Sequence, residues 1–502
     1  MKPTPIQSRR KLLSLILLLA LSCAQTFAQV SSQARKPSGE VRRASAALAG
    51  SVLVGGRSME NLKGLADGFG GRLSGSPAYE RSAEWAAEQF RAAGLKDVRL
   101  EEWSLDSAWQ RGTEARGRIV APVERRLNVE PLGWSPSTPA GGVRGEVILV
   151  TDITPEGIRS QAARIKGRVV MLDLAAIFAQ GVYKGFGRLT ASQALFKGAG
   201  ALALVFPERV TNNAHSAFSL NWGSSLAPLP EAEFGMEDAK LITRILREQP
   251  ARPVTVEFSY ENQTRARATT HNVVAEIRGR EKPDEWVIVG AHLDSWDFGT
   301  AAQDNGAGVA QVLEAARAIA SMPQPPRRSV RFALWGGEEQ GLLGSEAYVR
   351  AHASELKSCV AALNTDNGAG HPKGWQYEGR EDLRAALGPL GELLAGLGGE
   401  GLSEETSFDT DHGHFMIAGV PAFNLWVEME HYEEVHHKAS DTVDKVDEHD
   451  LAAGAAVLAV TAYVIAEQPE PIAPHIGHKA VADILKKAGL DEFLTSVGVW
   501  KP

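Results

Sequence analysis

The sequence predicts an α/β fold with a mostly parallel central sheet and helices on both of its faces. From residue 284 onward, apolar runs of strand length alternate with segments that have helical spacing. Continuous apolar runs are typical of strands that are buried on both faces. Strand–helix–strand repeats connect through right-handed crossovers and produce parallel sheets. At 502 residues the chain is too long for a single core, so a second domain is expected.

The first 28 residues are predicted to be a cleaved signal peptide, followed by a poorly ordered leader over residues 29–57. An apolar stretch over residues 12–24, too short to span a bilayer, follows a basic start formed by Lys2, Arg9, Arg10 and Lys11. Ala28 and Ala24 are alternative cleavage points, and lipidation at Cys23 is an alternative that the preceding residues fit poorly. We expect a secreted or periplasmic protein, with no later segment long and apolar enough to span a membrane.

Charge and cysteine content exclude further classes of function. The formal net charge is −8, and the predicted signal peptide carries four basic residues and no acid, which leaves about −12 for the mature chain. This acidic balance argues against a nucleic-acid partner. Of the two cysteines, only Cys359 remains after cleavage. An intrachain disulfide is therefore excluded, and any zinc site must use histidines and carboxylates.

Two regions of different composition follow the leader. A helix is predicted from Tyr79 to Gly94, where small and apolar residues recur at helical spacing. Composition changes near Leu132, and residues 132–261 are predicted to form an inserted α+β domain. Its predicted elements are the strands Gly142–Ile153, Gly167–Leu172 and Ala201–Phe206 and the helices Ala191–Lys197 and Glu231–Leu246. Residues 58–131 and 262–502 are predicted to form the main domain.

Four predicted strands carry the sheet of the main domain. They are Trp286–Ala291, Val330–Trp335, Cys359–Leu363 and Pro421–Trp426. A helix between the first two is indicated by an apolar stripe from Val309 to Ala320. The opposite, polar face of this helix is predicted to carry Gln311, Glu314 and Arg317.

Acids and histidines follow these strands. His292 comes directly after the first strand, the pair Glu338 and Glu339 after the second, and Asp366 after the third, while His437 lies beyond the fourth. In parallel sheets with helices on both faces, ligands bind at the carboxyl ends of the strands. We therefore expect these side chains to meet at one edge of the sheet.

These residue types fit a pair of zinc ions. Zinc binds imidazole nitrogen and carboxylate oxygen, and two ions about 3.5–4 Å apart are well served by a bridging carboxylate. Asp304, twelve residues after His292, is the predicted bridge, and Asp294 is better placed to orient the His292 ring than to bind metal. One glutamate of the 338–339 pair can bind metal while the other acts as a general base. Each motif alone is common on surfaces, so the combination carries the interpretation.

Five short motifs of the main domain occur together. They are His292-Leu-Asp-Ser-Trp-Asp, Asp304-Asn-Gly-Ala-Gly, Trp335-Gly-Gly-Glu-Glu-Gln-Gly, Asn364-Thr-Asp, and His437 with Asp441-Thr. Together they resemble the co-catalytic di-zinc exopeptidase family, which includes bacterial leucyl-type aminopeptidases, glutamate carboxypeptidase and carboxypeptidase Q. The resemblance runs from about residue 58 to about residue 464. It is interrupted by the inserted domain, which resembles a protease-associated domain.

The resemblance implies two metal-binding sets that share one residue. The first zinc ion would be bound by His292, Asp304 and Asp366. The second would be bound by Asp304, Glu339 and His437. Two Zn²⁺ ions are therefore the expected cofactors.

The resemblance also implies roles around these two sets. Glu338 would be the general base, and Asp294 would orient a ligand histidine. A cis peptide bond is expected before Asn305. His436, next to the implied ligand, stays an alternative ligand. His414 stands where relatives often have proline, and it is interpreted as a substrate contact, with a surface-loop residue as the alternative.

The predicted function is a secreted di-zinc metallo-exopeptidase that hydrolyses peptide bonds of short peptides or dipeptides through a metal-activated water. A peptide substrate is the expected partner, and the resemblance is compatible with a homodimer. Aminopeptidase, carboxypeptidase and dipeptidase specificity all stay open. The alternatives are a non-catalytic, receptor-like binding protein on the same fold and a glutaminyl-peptide cyclase with one metal ion.

Overall fold

The structure is a computed structural model that describes residues 37–112 and 114–502. The predicted signal peptide lies outside these described residues. The strands of the described chain, in order, are β1 (Asp97–Arg111), β2 (Arg116–Ala121), β3 (Arg125–Arg126), β4 (Val129–Pro131), β5 (Val143–Val150), β6 (Val169–Leu172), β7 (Ala203–Pro207), β8 (Glu231–Phe234), β9 (Thr255–Ser259), β10 (Asn262–Ile277), β11 (Lys282–His292), β12 (Arg328–Trp335), β13 (Cys359–Asn364), β14 (Pro372–Gln376), β15 (Gly401–Ser403) and β16 (Ala422–Val427).

The α-helices of the described chain, in order, are α1 (Gly39–Gly55), α2 (Ser58–Phe69), α3 (Pro77–Ala92), α4 (Pro155–Ser160), α5 (Ala162–Ile165), α6 (Leu174–Ile177), α7 (Val182–Gly198), α8 (Met236–Glu248), α9 (Ala307–Ala320), α10 (Leu343–Ala351), α11 (Glu381–Leu394), α12 (His412–Ile417), α13 (Glu430–Val435), α14 (Glu448–Glu467), α15 (His478–Ala488) and α16 (Asp491–Ser496).

The first sheet has the strand order β1-β10-β12-β11-β13-β16-β14-β15. Its centre is parallel, because β11 pairs in parallel with both β12 and β13, and β13 with β16. Successive residues of β11 face opposite sides. Val287 packs with α9 and α14, whereas Ile288 packs with α10, α12 and α15. The predicted α/β class is therefore confirmed, with helices on both faces of the sheet.

A second sheet has the order β3-β2-β9-β5-β6-β7-β8-β4. It begins at Arg116, earlier than the predicted boundary at residue 132. Strand β2 pairs antiparallel with β9, so the chain enters and leaves this sheet through neighbouring strands. The predicted helix Glu231–Leu246 is wrong in its first turn, because Glu231–Phe234 forms strand β8 and the helix starts at Met236. Pairing with β7 and β4 overrides the local helical pattern there.

Strands β1 and β10 form a long antiparallel ribbon that connects the two sheets. Their register runs from Asp97 opposite Glu276 to Arg111 opposite Asn262. Near the second sheet, the indole rings of Trp109 and Trp134 stack with centroids 6.0 Å apart. This buried aromatic contact fixes the ribbon against the second sheet.

Helix α9 is buried over most of its surface, including most of the face predicted to be polar, and Arg317 on that face is only partly exposed. Gln311 and Glu314 are fully buried, although the sequence placed them on a polar face. The Gln311 side-chain oxygen accepts a 2.7 Å hydrogen bond from the Thr365 hydroxyl. The Glu314 carboxylate accepts hydrogen bonds from the Arg57 backbone and the Arg317 guanidinium. Buried polar groups of this kind require partners, which the helical period cannot indicate.

Two expectations about the chain outside the sheet are also wrong. The leader was expected to be poorly ordered, but α1 packs on α14 through buried Leu48 and Val52. Contrary to prediction, helix α14 is long and apolar enough to cross a membrane. However, 83% of its apolar 18-residue stretch is buried inside the protein. A wholly apolar helix can be a core helix, and here α14 packs against α9 and the first sheet.

Replacing Glu231 by Gln is expected to flatten the pH dependence of stability. Glu231 is fully buried, both of its carboxylate oxygens lack hydrogen-bond partners, and burial raises its pKa to about 8. Between the unfolded pKa of 4.5 and this value, only the folded state keeps the proton, so the free energy of unfolding falls as pH rises. The slope is about 1.4 kcal/mol per pH unit.

Urea denaturation of both proteins at pH 5.5 and pH 7.5 measures this effect. The wild type should lose about 1–3 kcal/mol more than Glu231→Gln between the two pH values. Contributions from the other titrating groups are common to both proteins and cancel in the comparison. Equal losses in the two proteins would contradict a buried, neutral Glu231.

Candidate metal centre

Three parallel strands bring the predicted acids and histidines together. His292 is the last residue of β11 and lies opposite Trp335, the last residue of β12. Glu338 and Glu339 follow in the next turn of chain, and Asp366 lies two residues beyond β13. These positions all lie at the carboxyl edge of the sheet, where ligand sites of this fold class occur.

The first predicted set of ligands is assembled and buried. The His292 Nε2 lies 3.1 Å from Asp304 Oδ1 and 2.9 Å from Asp366 Oδ1. One donor atom from each of the three residues lies within 4.8 Å of the others. The set offers one imidazole and two carboxylates, a donor combination that zinc accepts.

The second predicted set lies on the other side of Asp304. The His437 Nε2 is 3.2 Å from Asp304 Oδ2 and 3.1 Å from Glu339 Oε2. The two oxygens of Asp304 therefore face different histidines, as a bridging carboxylate requires. The peptide bond between Asp304 and Asn305 is cis, as expected from the sequence.

His436 and His437 differ in their surroundings. His436 reaches Asp304 at 3.5 Å but not Glu339, and its side chain is 42% exposed. His437 contacts both carboxylates and is 21% exposed. Its backbone carbonyl also accepts a 2.8 Å hydrogen bond from the Ala217 amide of the second sheet region. These contacts support His437 as the ligand.

Two neighbouring residues hold in place the backbone that carries the predicted metal ligands. The Asp441 carboxylate accepts hydrogen bonds from the amides of Gln303 at 2.7 Å and Asp304 at 3.0 Å. The fully buried Arg72 donates to the carbonyls of Leu293 and Thr300. Neither role was predicted, although Asp441 belongs to one of the quoted motifs. For Asp441 the signal in the sequence was a carboxylate four residues after His437, whereas the sequence held no signal for Arg72.

Asp294 orients His292 differently from the prediction. The His292 Nδ1 lies 2.9 Å from the backbone carbonyl of Asp294 and 3.7 Å from its carboxylate. The carboxylate accepts instead the amide hydrogen of Glu338 at 3.2 Å. Asp294 therefore connects the first set of ligands with the loop that carries the proposed base.

The electrostatics of the site fit divalent cations. Burial raises the pKa of Glu339 to about 7, and the charge of Asp304 adds to this shift. Burial also raises the pKa of Asp366 to about 6, although the His292 ring opposes it. The second carboxylate oxygen of Glu339 is buried without a hydrogen-bond partner. A bound cation would stabilise this arrangement, in which several carboxylates lie close together and one buried carboxylate oxygen has no hydrogen-bond partner.

His414 does not have the predicted substrate contact. Its ring is buried edge-on against Phe408, with centroids 5.2 Å apart, and it is not among the residues that line the cavity. Asp411 was not predicted, yet it is fully buried with both carboxylate oxygens unpartnered, and burial raises its pKa to about 8. It lies within electrostatic range of His292 and Asp366. His414 and Asp411 both lie at the start of the short helix α12. Their positions are set by packing, which the local sequence does not indicate.

A cavity of about 700 Å³ opens beside the two sets. Three parts of the chain form its apolar wall: α7, the segment Phe218–Trp222 and Phe493 of α16. Asp409 and Glu433 also line it, whereas none of the lining residues, all within the described chain, is lysine or arginine. The wall from the second sheet region and from the C-terminal helix was not predicted, because both lie far in sequence from the ligands.

Two curated proteins are similar to most of this chain. Carboxypeptidase Q of Xenopus laevis is 30% identical over 82% of this chain and 87% of its own length. A protein named Probable lipoprotein aminopeptidase LpqL, from Mycobacterium tuberculosis, is 28% identical over 75% of this chain and 77% of its own. In addition, residues 272–462 match the family described as Peptidase family M28.

Two solved structures are similar in fold. A Peptidase M28 precursor from Shewanella amazonensis superposes with a TM-score of 0.75 and 27% identity, covering 87% of this chain and 99% of its own. A zinc aminopeptidase from Bacillus subtilis gives a TM-score of 0.63 and 21% identity, covering 84% of this chain and 98% of its own. The first of these similarities extends across both sheets.

Proposed function

Because this chain belongs to peptidase family M28, we propose that it is an exported exopeptidase that uses two zinc ions to hydrolyse short peptides. The observation that carries the proposal is the shared carboxylate of Asp304. Its two oxygens face His292 on one side and His437 on the other, each with a further carboxylate. Ordinary surface acids and histidines do not form two such sets around one buried residue.

Zinc ions at these two sets would polarise the scissile carbonyl and lower the pKa of the attacking water. Glu338 lines the cavity, with its carboxylate 4.0 Å from the His292 ring. This position suits a general base that takes the proton of the water and returns it to the leaving amine. Burial raises the pKa of Glu338 well above its usual value, and the positive charge of zinc ions bound beside it would oppose this shift, so that the carboxylate could accept the proton.

The lining of the cavity favours aminopeptidase action. A substrate carboxylate is normally recognised by arginine or lysine, and the lining contains neither. Asp409 and Glu433 lie outside both metal sets and would instead accept hydrogen bonds from a terminal ammonium group. The relatives are named for both activities, since one is a lipoprotein aminopeptidase and another is carboxypeptidase Q, so the preference for aminopeptidase action depends on the cavity lining.

Export and the inserted domain also belong to this proposal. The basic and apolar start of the sequence, together with the lipoprotein named among the relatives, supports a secreted or periplasmic location. The second sheet, Arg116–Ser259, is proposed to be a protease-associated-like insertion that forms one wall of the substrate cavity. A homodimer stays a prediction.

A panel of apolar dipeptides with free, acetylated or amidated ends tests the proposal. The zinc-loaded protein should cleave the free and carboxyl-amidated peptides but not the amino-acetylated one, and chelation should abolish cleavage until zinc is restored. Glu433→Gln should raise KM for free peptides about tenfold. Glu430→Gln, an exposed residue of the same helix α13, is the matched control.

Other outcomes of this panel would change the proposal. Cleavage of acetylated peptides that requires a free carboxylate would establish carboxypeptidase action instead. A protein that holds no stoichiometric metal, takes none up and cleaves no peptide would favour the receptor-like alternative. Activity that survives complete metal removal would contradict the metal-dependent mechanism.

A further inference from the structure

A second group of metal-type donors lies in the second sheet, away from the proposed active site. Glu208 directly follows β7, and Glu233 belongs to its parallel neighbour β8. His215 lies in the chain between these two strands. One donor atom of each residue lies within 4.8 Å of the other two. We propose that Glu208, His215 and Glu233 bind a third divalent transition-metal ion.

The three side chains are held in place before any ion binds. The His215 Nδ1 lies 2.8 Å from Glu233 Oε1. The Glu208 carboxylate accepts hydrogen bonds from the amides of Val210 at 3.0 Å and Ser216 at 2.9 Å. Metal ligands that are already held in position reduce the free energy needed to organise a metal site.

An unsatisfied oxygen marks the position for a cation. The other carboxylate oxygen of Glu233 is buried and has no hydrogen-bond partner, and the residue is 1% exposed. Glu208 is 5% exposed, and among the described residues no lysine or arginine forms an ion pair with either glutamate. Nearby Arg111 is paired with Asp297 and Glu130 instead. Two buried carboxylates side by side need either a shared proton or a cation.

The donors select the class of ion. One imidazole and two carboxylates suit zinc and related first-row ions, whereas calcium prefers six to eight oxygen ligands. The His215 side chain is 15% exposed, which gives an ion a path from solvent. The site would therefore take zinc in preference to calcium.

The location connects this site with the substrate cavity. The two residues after His215 contact the proposed active site. Ser216 forms an isolated antiparallel β-bridge with Lys438, and the Ala217 amide donates a 2.8 Å hydrogen bond to the His437 carbonyl. The same segment continues into Phe218–Trp222, which line the cavity. An ion bound by His215 would thus restrain the chain segment that forms this wall of the cavity.

Metal analysis of the purified full-length protein tests the proposal. After equilibration with zinc and desalting, mass spectrometry of the metal content should find three zinc ions per wild-type chain and two in Glu233→Gln. The matched control is Glu231→Gln, because Glu231 is a buried, unpartnered glutamate on the same strand that belongs to no candidate metal-binding group among the described residues. It should keep three ions. His215→Gln should lose one ion and provides a second test if Glu233→Gln does not fold.

The results separate this site from the active site. Asp304→Asn should keep the ion at Glu233, so a chain with one remaining zinc that Glu233→Gln removes would support the third site even if the active-site assignment failed. A wild type with two zinc ions, unchanged in both Glu233→Gln and His215→Gln, would overturn the proposal. In that case the two glutamates share a proton. Replacement of the third zinc by equimolar calcium would also contradict it.

Discussion

Replacing Glu338 by Gln should lower kcat about 10²–10⁴-fold while the metal content stays at the wild-type level. The amide keeps the size of the side chain but cannot accept the proton of the attacking water. Glu338 contacts the first metal set only at 4.0 Å, so the metal ligands themselves remain. Steady-state kinetics on an apolar dipeptide and metal analysis of the same preparation measure both quantities.

The matched control for this substitution is Glu346→Gln, on the exposed side of helix α10 eight residues later. Within the part of the chain that the structure describes, Glu346 forms an ion pair only with Arg350, at 3.8 Å, so its variant should retain wild-type kcat. If Glu338→Gln turned over substrate at the wild-type rate, Glu338 could not be the base. If it lost metal as well as activity, Glu338 would be a ligand and Glu339 would become the candidate base.

Replacing Asp304 by Asn should remove the metal ions of both sets and with them all measurable peptidase activity. The bridging oxygens belong to both sets, so one substitution weakens both ions. Because bound ligand stabilises the folded state, the variant should also lose the part of the zinc-dependent thermal stabilisation that these two ions give the wild type. Metal analysis and thermal denaturation with and without zinc measure these effects.

Asp409→Asn is the control for this second prediction. Asp409 lines the same cavity but belongs to neither set, so its variant should keep the wild-type zinc content and zinc-dependent melting temperature. Retention of both active-site ions in Asp304→Asn would contradict the bridge. Loss of one ion only would mean that Asp304 serves a single metal.

The parts of the fold that follow from local pattern were predictable. The apolar runs of β11, β12 and β13 identified a buried parallel sheet, because strands covered on both faces need no polar side. Long-range pairing was not visible. Glu231–Phe234 follows a helical pattern locally and becomes a strand only through β7, and buried Glu314 looks like a surface residue until Arg57 and Arg317 are known to contact it.

The candidate site likewise contains residues that could be predicted from local sequence and residues that could not. Residues at strand ends, such as His292 and Asp366, could be placed together because the parallel sheet fixes where its strands end. The supports of the site could not. Arg72 acts through backbone carbonyls more than two hundred residues away, and the cavity wall at Trp222 comes from a different sheet. Such contacts depend on how the elements pack, which no local motif reports.

The ribbon between the two sheets has a consequence for the order of folding. Arg111 and Asn262 pair across roughly 150 residues of chain, and closing so long a loop carries a large entropic cost. Antiparallel pairing of Arg116 with Ser259 brings those two ends together as soon as the second sheet forms. Only a few residues on each strand then separate this pair from Arg111 and Asn262, and the ribbon can extend pair by pair from there toward Asp97. The inserted sheet would thus assemble first and act as the nucleus on which the catalytic sheet is completed.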